Sequence, residues 1–344
     1  MKYSRKEISR SGNILIESKS EEEINLALEK INDWRTNHLQ PLKVLKRRLE
    51  KSFDFKKINP YLVSQRLKRL TSIIYKLDLN PKMGLGGMQD IGGFRAVLND
   101  VKDLNKVKIE IENNHILGKP EKDSNYIETP KESGYRSIHY IYKYNSNVEK
   151  YDSLRVELQI RTKLQHYWAT AVETAGIITK TSLKSSQGPD EWLEFFKIVS
   201  SLFAIKEKLH VLKIHESYTV EQLMVEFYQI CSKLKVIDTL KALNVTTEHL
   251  ERKRFPGHFY LININLVDQF VNIKVYSKSQ YQIATDEYLE LEKNIEDEKN
   301  AVVLVSANSF KSLQKAYPSY FLDTTEFIDA LEKINKNCKR LKLI

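Results

Sequence analysis

A chain of 344 residues has room for two domains, or one domain with a substantial appendage, and its 41% apolar and 29% charged residues are ordinary for a globular protein. No apolar run reaches the 18 or more residues of a membrane span, and the basic start MKYSRKEISR is followed by too short an apolar stretch for a signal peptide, so the expected location is the cytoplasm. The net charge of +10 lies wholly before Asp190, which suits a phosphate-bearing partner, and the two cysteines, Cys231 and Cys338, are too far apart for a metal-ligand spacing.

Ser20 and Glu23 form the pattern of a capping box, opening a helix with Ile24, Leu28 and Ile31 on one stripe. Helices are expected from about Leu42 to Phe53 and from about Tyr61 to Leu77, the whole stretch from Pro41 to Lys76 being strongly basic. Pro81 and the glycines of MGLGG then break the chain before a buried strand, GGFRAVL. After a polar loop from Gly118 to Ser133 come two strands, Ser137–Tyr144 and Leu154–Ile160. In the second, Arg155, Glu157, Gln159 and Arg161 share one face, which is costly to bury without partners.

Thr162 and Gln165 form a second capping box, and Pro189 is placed at the first position of a helix through WLEFFKIVSSLFAIKE. Past Leu240 the texture changes. HFYLININL, FVNIKVY, an acidic helix near Asp286 to Glu298, the strand AVVLVS and helices near Phe310 and Glu326 read as a small ββαβα module with its own core. The chain is accordingly divided into a helical extension, residues 1–40, a central domain, 41–240, and a small α+β module, 241–344, given a regulatory role.

Four segments carry the chemistry. They are Arg66-Leu-Lys68-Arg-Leu-Thr-Ser72-Ile-Ile-Tyr-Lys76, Asp90-Ile-Gly-Gly-Phe-Arg95, Lys131-Glu-Ser-Gly-Tyr135-Arg-Ser137-Ile-His139 and Glu157-Leu-Gln159-Ile-Arg161-Thr162. Any one is a weak signal, but four in order are a strong one. Together the sequence resembles the RelA/SpoT family of nucleotide pyrophosphokinases, the alarmone synthetases, and most of all the small members that lack a hydrolase domain. The resemblance implies an α+β fold, a nucleotidyltransferase-like mixed β-sheet flanked by helices.

It also implies Mg2+ as cofactor, held by Asp90 and Glu157, and transfer of the β,γ-pyrophosphate of ATP to the ribose 3′-hydroxyl of GDP or GTP. Cations and a metal are needed because the polyphosphate repels an incoming nucleophile. By resemblance Arg66, Lys68, Ser72 and Lys76 hold the ATP phosphates, Arg95 stacks on adenine and Glu157 assists deprotonation of the hydroxyl. Lys131, Tyr135, Ser137, His139, Gln159 and Arg161 meet the acceptor, with Tyr135 stacking on its base. Two alternatives keep the chemistry and change the acceptor, to the 3′ end of tRNA or an adenine nucleotide. Another is an inactive nucleotide sensor. The oligomeric state is left open.

Overall fold

In a computed structural model, the structure describes residues 3–179, 187–244, 259–265, 270–293, 300–306 and 323–344, with residues 181, 183, 314 and 318 between them. The chain opens with three helices, α1 (Arg5–Glu17), α2 (Glu21–Asn37) and α3 (Leu39–Lys56). Ser20 caps α2 through the Glu23 N–H as expected, but the Glu23 carboxylate accepts from the Ser18 hydroxyl, so the box is only half formed.

The expected helix over 61–77 is corrected. Its first part is a strand, β1 (Leu62–Leu67), and only its second part is a helix, α4 (Leu70–Asp78). Leu62, Leu67, Leu70, Ile73 and Leu77 imitate helical spacing in sequence. In space β1 pairs antiparallel with β2 (Gly92–Leu98) along its whole length, so Val63 and Leu67 meet the core and Ser64 and Arg66 point the other way. Pairing across the sheet thus overrides a local periodicity that fits either element.

Beyond β2 follow α5 (Val101–Glu112), β3 (Lys122–Asn125) inside the expected loop, β4 (Ile138–Lys143) and β5 (Arg155–Thr162). Next are α6 (Lys163–Thr179), α7 (Asp190–Glu207), α8 (Val220–Lys233) and α9 (Val236–Asn244). Thr162 and Gln165 make the reciprocal cap that starts α6, while Pro189 sits at the N-cap of α7, one place earlier than expected. The last described elements are β6 (Phe259–Asn265), β7 (Phe270–Tyr276), α10 (Tyr281–Lys293), β8 (Asn300–Ser306) and α11 (Thr325–Arg340). The helix expected near Phe310 lies outside the described residues.

The strands form one mixed sheet of order β3-β4-β5-β2-β1-β8-β6-β7, parallel between β2 and β5 and antiparallel elsewhere. This is the α+β architecture expected, with helices on both sides. The C-terminal segment does hold a small apolar cluster of its own, around Leu261, Ala284, Tyr288 and Val302. Its strands nevertheless continue the central sheet, because β8 pairs with β1 through Gln65 and Arg66. Phe327, Ile328, Leu331 and Cys338 of α11 join the core formed by α6, α7 and α8. Contacts thus cross the boundary placed at residue 240, since an exposed edge of β1 would invite pairing and β8 pairs there.

One sheet face is apolar. Phe94, Ala96, Tyr140, Tyr142, Leu158 and Ile160 pack there against α3 and α5, so Tyr140 and Tyr142 of β4 are core residues. The opposite face holds the polar residues.

Candidate active site

Strand register builds the site. Arg66 lies opposite Gly93, and Gly93 opposite Glu157, so Arg66 and Glu157 project from the same face with a glycine between them. In the next row Arg95 lies beside Gln159, and Gln159 beside His139. At Gly93 an added Cβ would meet only the Glu157 carbonyl, at 4.0 Å. The glycine leaves an open floor, two strand spacings or roughly 10 Å wide, between a cation and a carboxylate.

Asp90 precedes β2 and receives two ammonium groups, Lys68 Nζ at 2.9 Å from the β1–α4 junction and Lys76 Nζ at 3.0 Å from α4. Burial by itself would raise the Asp90 carboxyl, but the charges and hydrogen bonds of Lys68 and Lys76 outweigh it and hold it at about 2. Burial pushes the Lys68 ammonium down, with Asp90 opposing that shift. Ser72 is half-buried on α4.

Glu157 accepts from His139 Nδ1 at 2.8 Å and from Gln159 Nε2 at 2.7 Å. His139 Nε2 meets the Tyr135 hydroxyl at 2.9 Å. Burial pulls the imidazole pKa down, yet Tyr135 and Glu157 lift it to about 9. Burial raises the Glu157 carboxyl, and His139 brings it below its usual value. The pair is thus ionised at neutral pH, with His139 donating from both ring nitrogens.

Arg161 is the least satisfied of these groups. It is 2% exposed, its Nη2 donates to His166 Nδ1 at 2.5 Å, and among the described residues its Nε and Nη1 have no hydrogen-bond partner. A guanidinium cannot accept, so His166 Nδ1 carries the lone pair. Burial lowers the Arg161 pKa, and the charges of Arg95 and Arg66 lower it further. Among the described residues Arg95 reaches the Gln159 oxygen, at 3.4 Å. Three arginines on one face therefore repel one another, an arrangement that an anion relieves.

Tyr135 follows Gly134, whose φ of +91° suits glycine and whose added Cβ would stand 2.8 Å from Ser200. The Tyr135 ring is 4% exposed, edge-on to Tyr126, with exposed Lys131 above both rings at 5.5 and 4.7 Å. Tyr126 also meets the His139 ring edge-on. Sequence reasoning missed Tyr126 because the polar segment around it gave no periodic signal. Ser137 does not join the cluster: it is fully buried, and its hydroxyl donates to the Ile160 carbonyl at 3.0 Å. Arg155, on the same face, is held by Glu121 at 2.7 Å.

Two ionised carboxylates, Asp90 and Glu157, feel each other's charge, for Asp90 raises the Glu157 pKa. Among the described residues no group of three His, Cys, Asp or Glu side chains could hold a metal. A pair of hard oxygen donors, leaving further positions to phosphates and water, fits Mg2+.

Residues 65–184 match the family model described as the region found in RelA / SpoT proteins. The chain is 31% identical over 111 residues to the GTP pyrophosphokinase YwaC of Bacillus subtilis, covering 30% of this chain and 52% of that relative. It is 35% identical over 112 residues to the GTP pyrophosphokinase YjbM of the same organism, covering 31% of this chain and 52% of the relative. The chain thus spans about half the length of these curated relatives. Among solved structures, small alarmone synthetase 1 of Bacillus subtilis aligns with a TM-score of 0.42 and 26% identity, over 50% of this chain and 90% of that one. All four motif segments, from Arg66 to Thr162, fall inside the stretch that matches the RelA/SpoT model.

Proposed function

We propose that the chain is a nucleotide pyrophosphokinase, transferring the β,γ-pyrophosphate of ATP to the ribose 3′-hydroxyl of GDP or GTP and releasing AMP. The observation that carries this reading is the polar sheet face itself. It sets Arg66, Arg95 and the unsatisfied Arg161 beside two ionised carboxylates, around a floor kept open by Gly93. The RelA/SpoT region and the GTP pyrophosphokinases it resembles support the same reaction class.

In this reaction the acceptor oxygen bonds to the β-phosphorus, and the bond from that phosphorus to the α,β-bridging oxygen breaks. Arg66, Lys68, Ser72 and Lys76 surround the ATP phosphates, and the planar guanidinium of Arg95 suits the adenine face. Glu157, ionised and oriented by His139 and Gln159, receives the proton of the attacking hydroxyl. Lys131, Tyr135, His139, Gln159 and Arg161 serve the acceptor, the last offering a phosphate its Nε and Nη1, which have no partner among the described residues. Mg2+ bound through Asp90 and Glu157 would neutralise charge on the phosphates.

The basic α3 gives no support to an RNA acceptor at this site. Leu42, Leu45, Leu49 and Phe53 pack on the apolar sheet face, so exposed Lys43, Arg47, Arg48 and Lys51 lie on the far side of the sheet from Glu157. The test is chromatography of γ-labelled ATP with GDP, GTP, AMP, ATP or bulk tRNA in parallel. Label is expected in guanosine tetra- or pentaphosphate; label only in tRNA or an adenine nucleotide overturns the acceptor, and none anywhere overturns the activity.

A further inference from the structure

Lys68 reaches Asp90 from the two-residue junction Lys68-Arg69 between β1 and α4, and Lys76 reaches it from α4. The Lys68 N–H donates to the Ile91 carbonyl at 2.8 Å, but Arg69 as N-cap gives α4 no side-chain capping bond. The first N–H groups of a helix need partners from elsewhere. Here the partner comes from 222 residues away: the Leu70 N–H donates to Glu292 Oε1 of α10 at 2.7 Å. On the other side of Arg69, the Lys68 carbonyl accepts from Arg35 Nη2 of α2 at 2.9 Å.

Arg35 and Glu292 are themselves joined, Nη1 to Oε2 at 2.7 Å and Nη2 to Oε1 at 3.2 Å. Tyr288 accepts from Arg35 at 2.7 Å and donates to Glu292 at 2.8 Å, and Asn32 accepts from Arg35 at 3.0 Å. The side chains of the pair are 0% and 4% exposed. A buried ion pair is a weak source of stability, since an apolar replacement often serves as well, but its bidentate geometry fixes position. A carboxylate at the N-terminus of α4 also suits the helix dipole.

We propose that Arg35 and Glu292 are positioning residues that clamp the two peptide groups flanking Arg69 and thereby aim Lys68, Ser72 and Lys76 at the triphosphate of ATP. The clamp rests on the pyrophosphokinase reading for its ligand, though not for its structural effect. It means that the N-terminal helices and the C-terminal segment meet at the back of the ATP site and complete it.

The test compares the full wild-type chain with the double variant Arg35→Met/Glu292→Leu, which removes both charges and fills the space with apolar atoms. Three readouts are taken: thermal unfolding, amide exchange of peptides spanning 68–78, and titration with a non-hydrolysable ATP analogue and with GDP. The expected result is a folded chain with faster exchange at the start of α4. Affinity for the ATP analogue should fall roughly ten- to a hundredfold, the usual scale for removing an orienting partner, with GDP affinity little changed. A folded variant with unaltered exchange and ATP-analogue binding overturns the proposal, as does an equal loss for both nucleotides. If the double variant does not fold, Glu292→Gln decides, because it changes volume little and its single oxygen cannot accept from both the Leu70 N–H and Arg35 Nη1. A selective weakening of ATP-analogue binding then supports the clamp, and an equal or absent effect overturns it. Should the wild-type chain transfer no pyrophosphate, the functional reading fails, while the exchange comparison still judges the clamp.

Discussion

At the scale of single residues, the two carboxylates carry the sharpest expectations. Asp90→Asn or Glu157→Gln keeps side-chain size and removes a negative charge, so the fold should persist while transfer falls on the order of a thousandfold or more. Near wild-type turnover of both variants in saturating magnesium would refute the assignment. Asp90 also predicts a pH effect. Its folded-state pKa is lowered from 3.8 to about 2 by Lys68 and Lys76 against the opposing effect of burial, so its stabilisation is complete above the unfolded value and is lost as pH falls through 2. In chelator, urea unfolding of the wild type should lose about 2 kcal/mol between pH 5 and 1 through this group, a loss missing from Asp90→Asn. Gly93 is a different kind of residue, defined by the space above it. Gly93→Val meets no protein atom closer than 4.0 Å at its Cβ, so the chain should unfold within about 1 kcal/mol of wild type. Its branches would stand between Arg66 and Glu157, and transfer should drop roughly a hundredfold through misplaced substrate. Unchanged turnover in Gly93→Val would show that nothing binds over that floor.

At the scale of elements, the segment from β3 to β4 presents Tyr126, Lys131, Tyr135 and His139 as one group. Tyr135→Phe keeps the ring and removes the hydroxyl bonded to His139, whereas Tyr135→Ala removes both. Acceptor binding, measured by GDP titration, should weaken by about 1–3 kcal/mol in Tyr135→Ala, the value of one base–aromatic stack, and much less in Tyr135→Phe. Equal losses in the two variants would point to the hydroxyl and not the ring. The same scale shows where local pattern misled. Apolar spacing from Leu62 to Leu77 reads as one helix, and only antiparallel pairing with β2 turns its first part into a strand. The motif residues were nonetheless legible. Arg66, Lys68, Ser72 and Lys76 matched a pattern while sharing no helical stripe, and the strand–junction–helix geometry explains why.

At the scale of the whole molecule, the expected independence of residues 241–344 meets an obstacle. A chain ending near residue 244 would uncover the β1 edge that β8 occupies and expose the core face against which Phe327, Ile328 and Leu331 pack. Those three side chains alone are worth roughly 1.5–3 kcal/mol each in burial, a large share of the 5–15 kcal/mol that typical domains possess. The truncated chain should therefore aggregate or lack a cooperative thermal transition by circular dichroism. A soluble, cooperatively melting and active truncation would restore a separable regulatory module.

The amino-acid sequence by itself determined β2, β4 and β5, the capped helix after Thr162 and the residues that resemble a pyrophosphokinase site, because alternation, capping and motif spacing are local. Asp90 and Glu157 stood out only through the motifs that resemble the RelA/SpoT family. Only the tertiary structure decided that Lys68 and Lys76 both grip Asp90, that Ser137 turns its hydroxyl inward, and that Arg161 Nε and Nη1 find no partner among the described residues. It also decided that Glu292 caps α4 and that β8 closes against β1. These are contacts between residues far apart in the chain, fixed by burial and strand register, and no spacing along the sequence encodes which distant partner will satisfy a buried donor.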